Sequence, residues 1–391
     1  MLLSLLNTIE EAFTYAKILI HSYNPELYDK SITQETDVAL YSWAVFQDRR
    51  VVARVIRMLV LMLACLKGLI FKKFSSHNKK LDKLIKDYIT ADLIVFVGGG
   101  YLRSQSGLTQ ALNFLMQLVM FRFALFSKAP KIVAPISFGP FAYSWQEKMA
   151  AKTLGKVNRV TVREDISYER LKMYGLKNVT LLTDLALFLQ GVANDGTISG
   201  TVGFTIRSWL PSDQQKVLES SYVEALAKIA VEKQLQVRPI VQVDAVEYGD
   251  DDAVITKKLA GELVNRGVKV LPTITVKDVE HGIATYANID FLLGMRMHSD
   301  ILAAVSDTPF VAISYEHKAE GISKRLEVEE CVIKCEVANS DNIYSALKSV
   351  YDNLDEYKRV IKGNVASVAV KERQQWVEML KSIQVKERQS L

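Results

Sequence analysis

Cysteine is scarce in this chain of 391 residues: Cys65, Cys331 and Cys335 are the only three. An odd number, with Cys65 inside an apolar run, is poor material for a disulfide framework. Cys331 and Cys335 stand four apart with no matching pair and no nearby histidine, which speaks against zinc, and no metal is expected. Reduced thiols in a cytoplasmic protein are the plain reading. A secretory leader is also missing, because Met1-Leu-Leu-Ser-Leu-Leu6 lacks a basic start and a small-residue cleavage site. Long apolar runs are absent too. A transmembrane helix needs ~20 apolar residues, and the best stretch, Met58 to Phe71, is interrupted by Lys67. Histidine is rare, and His21, His77, His281 and His317 lack companions at metal spacing, so they read as surface residues. Finally, a net charge of +5 is too small to suggest a nucleic-acid partner.

What remains is a globular composition, 49% hydrophobic and 24% charged, in a chain longer than one core usually fills, so two domains are expected. The charge is unevenly spread: Arg49 to Lys86 carries eleven Lys and Arg against one acid, Asp82. Within it Arg50, Arg54 and Arg57 form a narrow basic stripe on an apolar helix. Such a stripe fits a helix lying on an anionic membrane surface. A core helix with a solvated edge fits Met58 to Phe71 better, since apolar helices are usually core. The aromatic-rich segment Leu112 to Phe126 reads as core as well.

From residue 90 onward short apolar strands alternate with helical patterns. Leu93–Val97, Lys131–Ile136, Arg159–Val162 and Val179–Leu182 are the first strands, with helices at Ser144–Leu154 and Ile166–Tyr174. A polar break at Gly191–Gly200 reads as a linker. The rhythm then restarts with strands at Thr201–Ile206, Val237–Val243, Val268–Leu271, Ile289–Leu293, Phe310–Ile313 and Cys331–Lys334, and a helix at Pro211–Glu232. This is the pattern of right-handed βαβ units and parallel sheets. It predicts an α/β fold with domains over 1–190 and 201–391. The charged, helix-periodic tail from Asp355 to Gln384 is expected to pack across both domains or to cap the second. The first 90 residues read as helices with no opening strand.

The residues that carry chemistry sit at predicted strand ends. Phe291-Leu-Leu-Gly-Met-Arg-Met-His-Ser-Asp300 runs from a buried strand into a helix, placing Arg296 and His298 where open parallel sheets bind ligands. A cation and an imidazole beside the N–H groups of a new helix suit an anion. Arg207 ends the strand of Gly203-Phe-Thr-Ile-Arg207, where it is either a rim salt bridge or a bidentate anion contact. Arg163 holds the equivalent place earlier in the chain, but Glu164 and Asp165 follow it, and a structural ion pair is at least as good a reading. Asp184 closes its strand as a cap or turn residue. Gly98-Gly-Gly100 and Ser137-Phe-Gly-Pro140 follow two neighbouring strands, and Gly99, Gly100 and Gly139 are candidates for a cleft floor. Asp250-Asp-Asp252 reads as an acidic helix start.

In this order the motifs resemble the polysaccharide pyruvyl transferase family. The matching elements are Asp92 to Gly100, Ser137 to Pro140, Thr161-Val-Arg-Glu-Asp-Ile-Ser167, Thr183 to Phe188, Gly203 to Arg207, Gly294-Met-Arg-Met-His298 and Tyr315-Glu-His-Lys318. They cover roughly residues 90 to 330, and Gly-x-Arg-x-His with the downstream Tyr-x-x-Lys is the most specific part. The resemblance implies two Rossmann-like domains facing across a cleft, as in glycosyltransferases of the B type. It implies transfer of an enolpyruvyl-derived group from phosphoenolpyruvate onto two hydroxyls of one sugar, giving a cyclic pyruvate ketal and phosphate. Phosphoenolpyruvate is then a co-substrate and no cofactor is needed. The acceptor is a sugar of a capsule, exopolysaccharide or glycan, often lipid-linked, which places the enzyme in the cytoplasm at the inner face of the membrane. Carried over by position, the donor contacts are Arg207, Arg296, the Met297 backbone and His298.

The chain departs from the family at two places. The opening strand with its Gly-Asn-x-Gly-Asp-like turn is missing before Leu2, as in an N-terminally truncated form. The acid that often follows the triple glycine is replaced by Tyr101-Leu-Arg-Ser-Gln-Ser106, leaving the general base unassigned.

The chemistry fits the residues. Phosphoenolpyruvate carries a carboxylate and a phosphate, for which two arginines are a reasonable minimum clamp. Histidine titrates near working pH, so His298 is a general acid or a phosphate contact; a helix-capping histidine is the bland alternative. Lys318 is a weaker candidate for the phosphate or the acceptor. A nucleotide-sugar glycosyltransferase of the same architecture, or an inactive scaffold in polysaccharide assembly, are the competing expectations.

Overall fold

Apolar runs of three to eight residues, each closed by glycine or a polar break, form parallel strands in the computed structural model, which describes residues 1–22, 38–42, 79–191, 200–245 and 250–383. The segments Arg49–His77 and Met58–Phe71 lie outside the described residues, as do Cys65 and most of the expected linker. By packing the chain divides into two units, Met1–Asp184 with Gln374–Leu391, and Leu185–Arg373.

The first unit opens on helix α1 (Leu2–Ala12), followed by β1 (Ile18–Ser22) and β2 (Val38–Ser42), which pair in parallel. Two strands therefore stand where the sequence reading has only helices. His21 is not a surface residue: its side chain is 10% exposed and lies 3.4 Å from Asp87. Helix α2 (Lys79–Thr90) leads to β3 (Ile94–Phe96) and β4 (Gly99–Leu102). Both pair with β5 (Lys131–Phe138), so β3 and β4 are two segments of one line along the same neighbour. Gly98 sits at the break, where a Cβ would lie 2.3 Å from the Pro135 carbonyl oxygen. The triple glycine is thus a close strand-to-strand approach, and the turn into helix α3 (Leu108–Ala124) comes later, at Gly107.

Helix α3 buries Phe114, Leu118 and Phe121 against the sheet. Helix α4 (Ser144–Leu154), β6 (Arg159–Val162), α5 (Asp165–Met173) and β7 (Val179–Leu181) complete the unit, with strand order β3-β5-β6-β7. All eight residues of β5 are buried, as expected of a central parallel strand covered on both faces.

The second unit is a doubly wound domain. Its strands are β8 (Thr201–Phe204), β9 (Gln236–Val241), β12 (Ile274–Thr275), β13 (Phe291–Gly294), β14 (Phe310–Ser314) and β15 (Val332–Lys334), with the short hairpin β10 (Asp244–Ala245) and β11 (Asp250–Asp251) set apart. The spatial order β12-β9-β8-β13-β14-β15 is parallel throughout. Renumbered within the domain, it is the 3-2-1-4-5-6 order of dinucleotide-binding folds, with the winding reversing between β8 and β13. Val268–Leu271, expected as a strand, contributes only the isolated bridge of Val270 to Val237. Helices α6 (Ser212–Lys233), α7 (Ala253–Asn265), α8 (Val279–Ala287), α9 (Met297–Val305), α10 (His317–Arg325) and α11 (Ser340–Asp352) flank the sheet. Phe204, Phe291 and Phe310 are at most 1% exposed, and burying each contributes ~1.5–3 kcal/mol.

Helix α12 (Leu354–Lys381) ends the described chain. Its residues from Gln374 belong to the first unit, where buried Trp376 donates through Nε1 to Thr8 Oγ1 at 3.0 Å.

Candidate functional site

In an open α/β sheet, ligands bind in the crevice beyond the carboxyl ends of the strands, where the winding reverses. In the second unit that point lies between β8 and β13. Arg207 follows β8 and Arg296 follows β13, so the topology brings the two to one sheet edge.

The loop between β13 and α9 is tied to β8 by a chain of hydrogen bonds. Thr205 N–H donates to the Leu293 carbonyl (3.0 Å) and Met295 N–H donates to Thr205 Oγ1 (3.1 Å). Ser299 Oγ donates to the Arg296 carbonyl (2.5 Å) and lies 3.0 Å from Thr205 Oγ1. Gly294 has no alternative here: a Cβ would fall 1.8 Å from Asp300 Oδ1. Asp300 is 2% exposed and its Oδ1 has no hydrogen-bond partner. Burial pushes its carboxyl well above the usual carboxylate range, and a Ser299 hydrogen bond only partly offsets this.

Arg296 is 7% exposed and grips Asp252, with Nε 3.0 Å from Oδ2 and Nη2 2.6 Å from Oδ1. The bidentate fork expected to meet a ligand is therefore engaged by a carboxylate of the protein. Asp252 is the N-terminal flank of α7, but its side chain makes no helix cap. It also accepts from Val243 N–H at 3.2 Å. The acidic helix start of the sequence is in fact the orienting partner of Arg296, and Asp251 is the residue that bonds the first helical N–H, at Ala253.

Arg207 is held differently. Its guanidinium lies 4.8 Å from the Trp209 ring centroid and 4.9 Å from that of Tyr315, and its Nη1 donates to Tyr315 Oη at 3.0 Å. That bond reaches from the end of β8 to the end of β14, past β13. Two aromatic faces fix the side chain through the attraction of a cation for the ring quadrupole.

His298 is exposed on the first turn of α9, directly after the buried Met297. Lys318 lies on the first turn of α10, with Nζ 2.7 Å from Glu316 Oε2. Gly99 and Gly139 belong to the first unit, with φ of +143° and +93°, and Gly100 continues β4.

At the strand ends of the first unit the arrangement is closed. Arg163 is 3% exposed; its Nη1 meets Asp184 Oδ2 at 2.5 Å and its Nε donates to Ser137 Oγ at 2.8 Å. Ser137 in turn donates to Glu164 (3.0 Å), which also accepts from Ser167. Arg163 is a structural ion pair, and Asp184 is its partner rather than a turn residue.

Sequence reasoning missed Asp252, Trp209, Thr205 and Ser299 as parts of the site. Asp252 stands 44 residues from Arg296, and only the strand order brings them together. Trp209 was legible: an aromatic two residues beyond a strand-end arginine is within reach of it.

Comparison with known proteins places the fold first. The chain superposes on the UDP-GlcNAc 2-epimerase of Neisseria meningitidis with a TM-score of 0.57 at 10% identity, over 95% of each chain. With the trehalose 6-phosphate synthase of Burkholderia multivorans the TM-score is 0.51 at 11% identity, over 96% and 98% of the two chains. This is the α/β fold class of glycosyltransferases of the B type and of nucleotide-sugar epimerases. The family follows from sequence: residues 1–317 match the polysaccharide pyruvyl transferase model, and the chain belongs to that family of transferases of polysaccharide biosynthesis. It is also 25% identical over 358 residues to the amylovoran biosynthesis protein AmsJ of Erwinia amylovora, covering 86% of this chain and 84% of AmsJ.

Proposed function

We propose that this protein transfers the enolpyruvyl-derived group of phosphoenolpyruvate to two hydroxyls of a sugar in a surface polysaccharide or its lipid-linked precursor. The product is a cyclic pyruvate ketal, and phosphate leaves. One observation carries the reading: Arg207, Arg296 and the start of α9 converge on the winding switch of a 3-2-1-4-5-6 sheet, where an anion is favoured by charge and by the dipole of a helix N-terminus.

In this reading Arg207 binds the donor's carboxylate or phosphate, stiffened by Trp209 and Tyr315. Arg296, oriented by Asp252, and the Met297 backbone N–H stabilise charge that develops as the phosphate departs. His298 delivers a proton to the vinyl carbon or holds the phosphate. Lys318 supplies a further cation toward phosphate or acceptor, and no cofactor takes part. The basic stretch Arg49–Lys86, of which Lys79–Lys86 is described, attracts the protein to the anionic leaflet that carries lipid-linked acceptors.

The test is incubation with phosphoenolpyruvate and a lipid-linked oligosaccharide, with phosphorus NMR following the leaving group. Inorganic phosphate appearing with an acceptor heavier by one pyruvate ketal is expected. Release of a nucleoside diphosphate from a nucleotide sugar instead would make the protein a glycosyltransferase. Failure to bind phosphoenolpyruvate, with vesicle binding intact, would leave an assembly scaffold.

A further inference from the structure

The end of the first unit opposite its strand carboxyl termini carries a feature that the proposed reaction does not use. Strands β5, β6 and β7 are parallel, with Ile132 opposite Arg159 and Val160 opposite Val179, so their starts lie along one edge. The connections that feed this edge are residues 125–130, 155–158 and 174–178, and none contains an acid. They bring Lys128, Lys156 and Lys177, while α4 adds Lys148 and Lys152. A cavity of about 510 Å³ opens there, lined by Lys148, Lys152, Lys156 and Lys177 over a floor that includes Ala151 and Leu176.

All four lysines are exposed, and among the described residues none makes an ion pair. Like charges four apart on a helix, as in Lys148 and Lys152, are unfavourable, so an anion placed between them would relieve a standing repulsion. Of the acids around this edge, Glu147 acts on Tyr174 and Asp92 stands in the connection before β3. Six cations, with Arg159 and Lys128 included, outweigh these two.

Apolar groups interleave with the cations. Met173 is 78% exposed, Phe126 39% and Tyr174 38%. A soluble acidic polymer would be recognised through several neutral polar side chains, yet the lining of the cavity offers only the Tyr174 hydroxyl and Asn178. Its amide is already committed to the Leu154 and Val157 carbonyls. Lysines with long apolar stems on the same edge as exposed aromatic and thioether groups suit a surface that is anionic outside and hydrocarbon within.

We infer that this edge docks on an anionic phospholipid surface, the cavity receiving a lipid phosphate among Lys148, Lys152, Lys156 and Lys177. The inference goes beyond the proposed reaction and needs neither donor nor acceptor.

The full chain and a variant carrying Lys148→Gln, Lys152→Gln, Lys156→Gln and Lys177→Gln are sedimented with vesicles of equal parts phosphatidylglycerol and phosphatidylcholine, and with phosphatidylcholine alone. The exposed sites should leave the thermal melt unchanged. Each lysine held at an anionic leaflet strengthens binding by about fivefold, so the variant should bind the anionic vesicles at least roughly tenfold more weakly. The corresponding Lys→Arg variant should bind like the parent. Three results would overturn the inference: unchanged binding of the glutamine variant, which residues 49–86 alone would then supply; equal binding of the parent to neutral vesicles; or parental binding to a soluble acidic polysaccharide and to no vesicle. Pyruvyl transfer to a water-soluble acceptor, measured alongside, separates failure of this surface from failure of the proposed reaction.

Discussion

Arg163 and Arg207 occupy the same place in the two units, at the carboxyl end of a buried parallel strand, and they have opposite fates. Arg163 is sealed at 3% exposure between Asp184, Ser137 and Glu164. Arg207 is partly exposed and steadied by the faces of Trp209 and Tyr315. Position on the sheet therefore does not decide an arginine's role; the chemistry of its neighbours does. A carboxylate neutralises the cation within the protein, whereas an aromatic face orients it through the ring quadrupole. Arg296 stands between the two cases, buried and paired with Asp252 at the switch point.

The largest effect expected concerns His298, exposed on the first turn of α9. As the proton donor, His298→Ala should lower turnover by roughly 10²–10⁴-fold while donor affinity changes far less. Single-turnover kinetics beside equilibrium titration would check it. A collapse of affinity with saturated turnover intact would make the residue an anchor.

Next comes the sealed arginine. Asp184→Ala leaves Arg163 charged and buried, and stability should fall by about 3–5 kcal/mol in chemical denaturation. Protein that remains folded should bind phosphoenolpyruvate as before. Arg207→Ala should show the reverse, with stability nearly unchanged and donor binding lost. Equal behaviour of the two variants would erase the distinction between the units.

A smaller, pH-dependent effect concerns Asp300. Its folded pKa is raised by burial, so between the ordinary carboxylate range and the raised value the native state holds more protons than the unfolded chain. Stability must therefore decline as pH rises through that window. Asp300→Asn should flatten this decline, raising the melting temperature at neutral pH and leaving it unchanged in acid. A constant difference across pH would show that the carboxyl does not titrate in this way.

Much of this architecture was legible because buried parallel strands are near-continuous apolar runs. Lys131–Phe138 and Phe310–Ser314 announce themselves in that way, and the chain order of motifs placed Arg207 and Arg296 at strand ends. The N-terminal strand Ile18–Ser22 was not legible. Its five residues include His21 and Ser22, and while Ile20 packs on Leu6 of α1, His21 finds its partner only at Asp87, far along the chain. The Arg296–Asp252 pair was equally hidden, since an acidic triplet before a helix already has a local explanation in the macrodipole. Gly98-Gly-Gly100 misled for a related reason: glycine signals a turn and a close approach alike, and only the pairing with Pro135 and its neighbours distinguishes them.

At the switch point of the second unit, we propose, a guanidinium held by aromatic faces binds phosphoenolpyruvate. Isothermal titration of phosphoenolpyruvate into the parent and into Arg207→Lys tests it most directly. Lysine keeps the charge but loses the planar fork, so affinity should weaken by on the order of 1–3 kcal/mol. An affinity equal to the parent's would contradict the assignment.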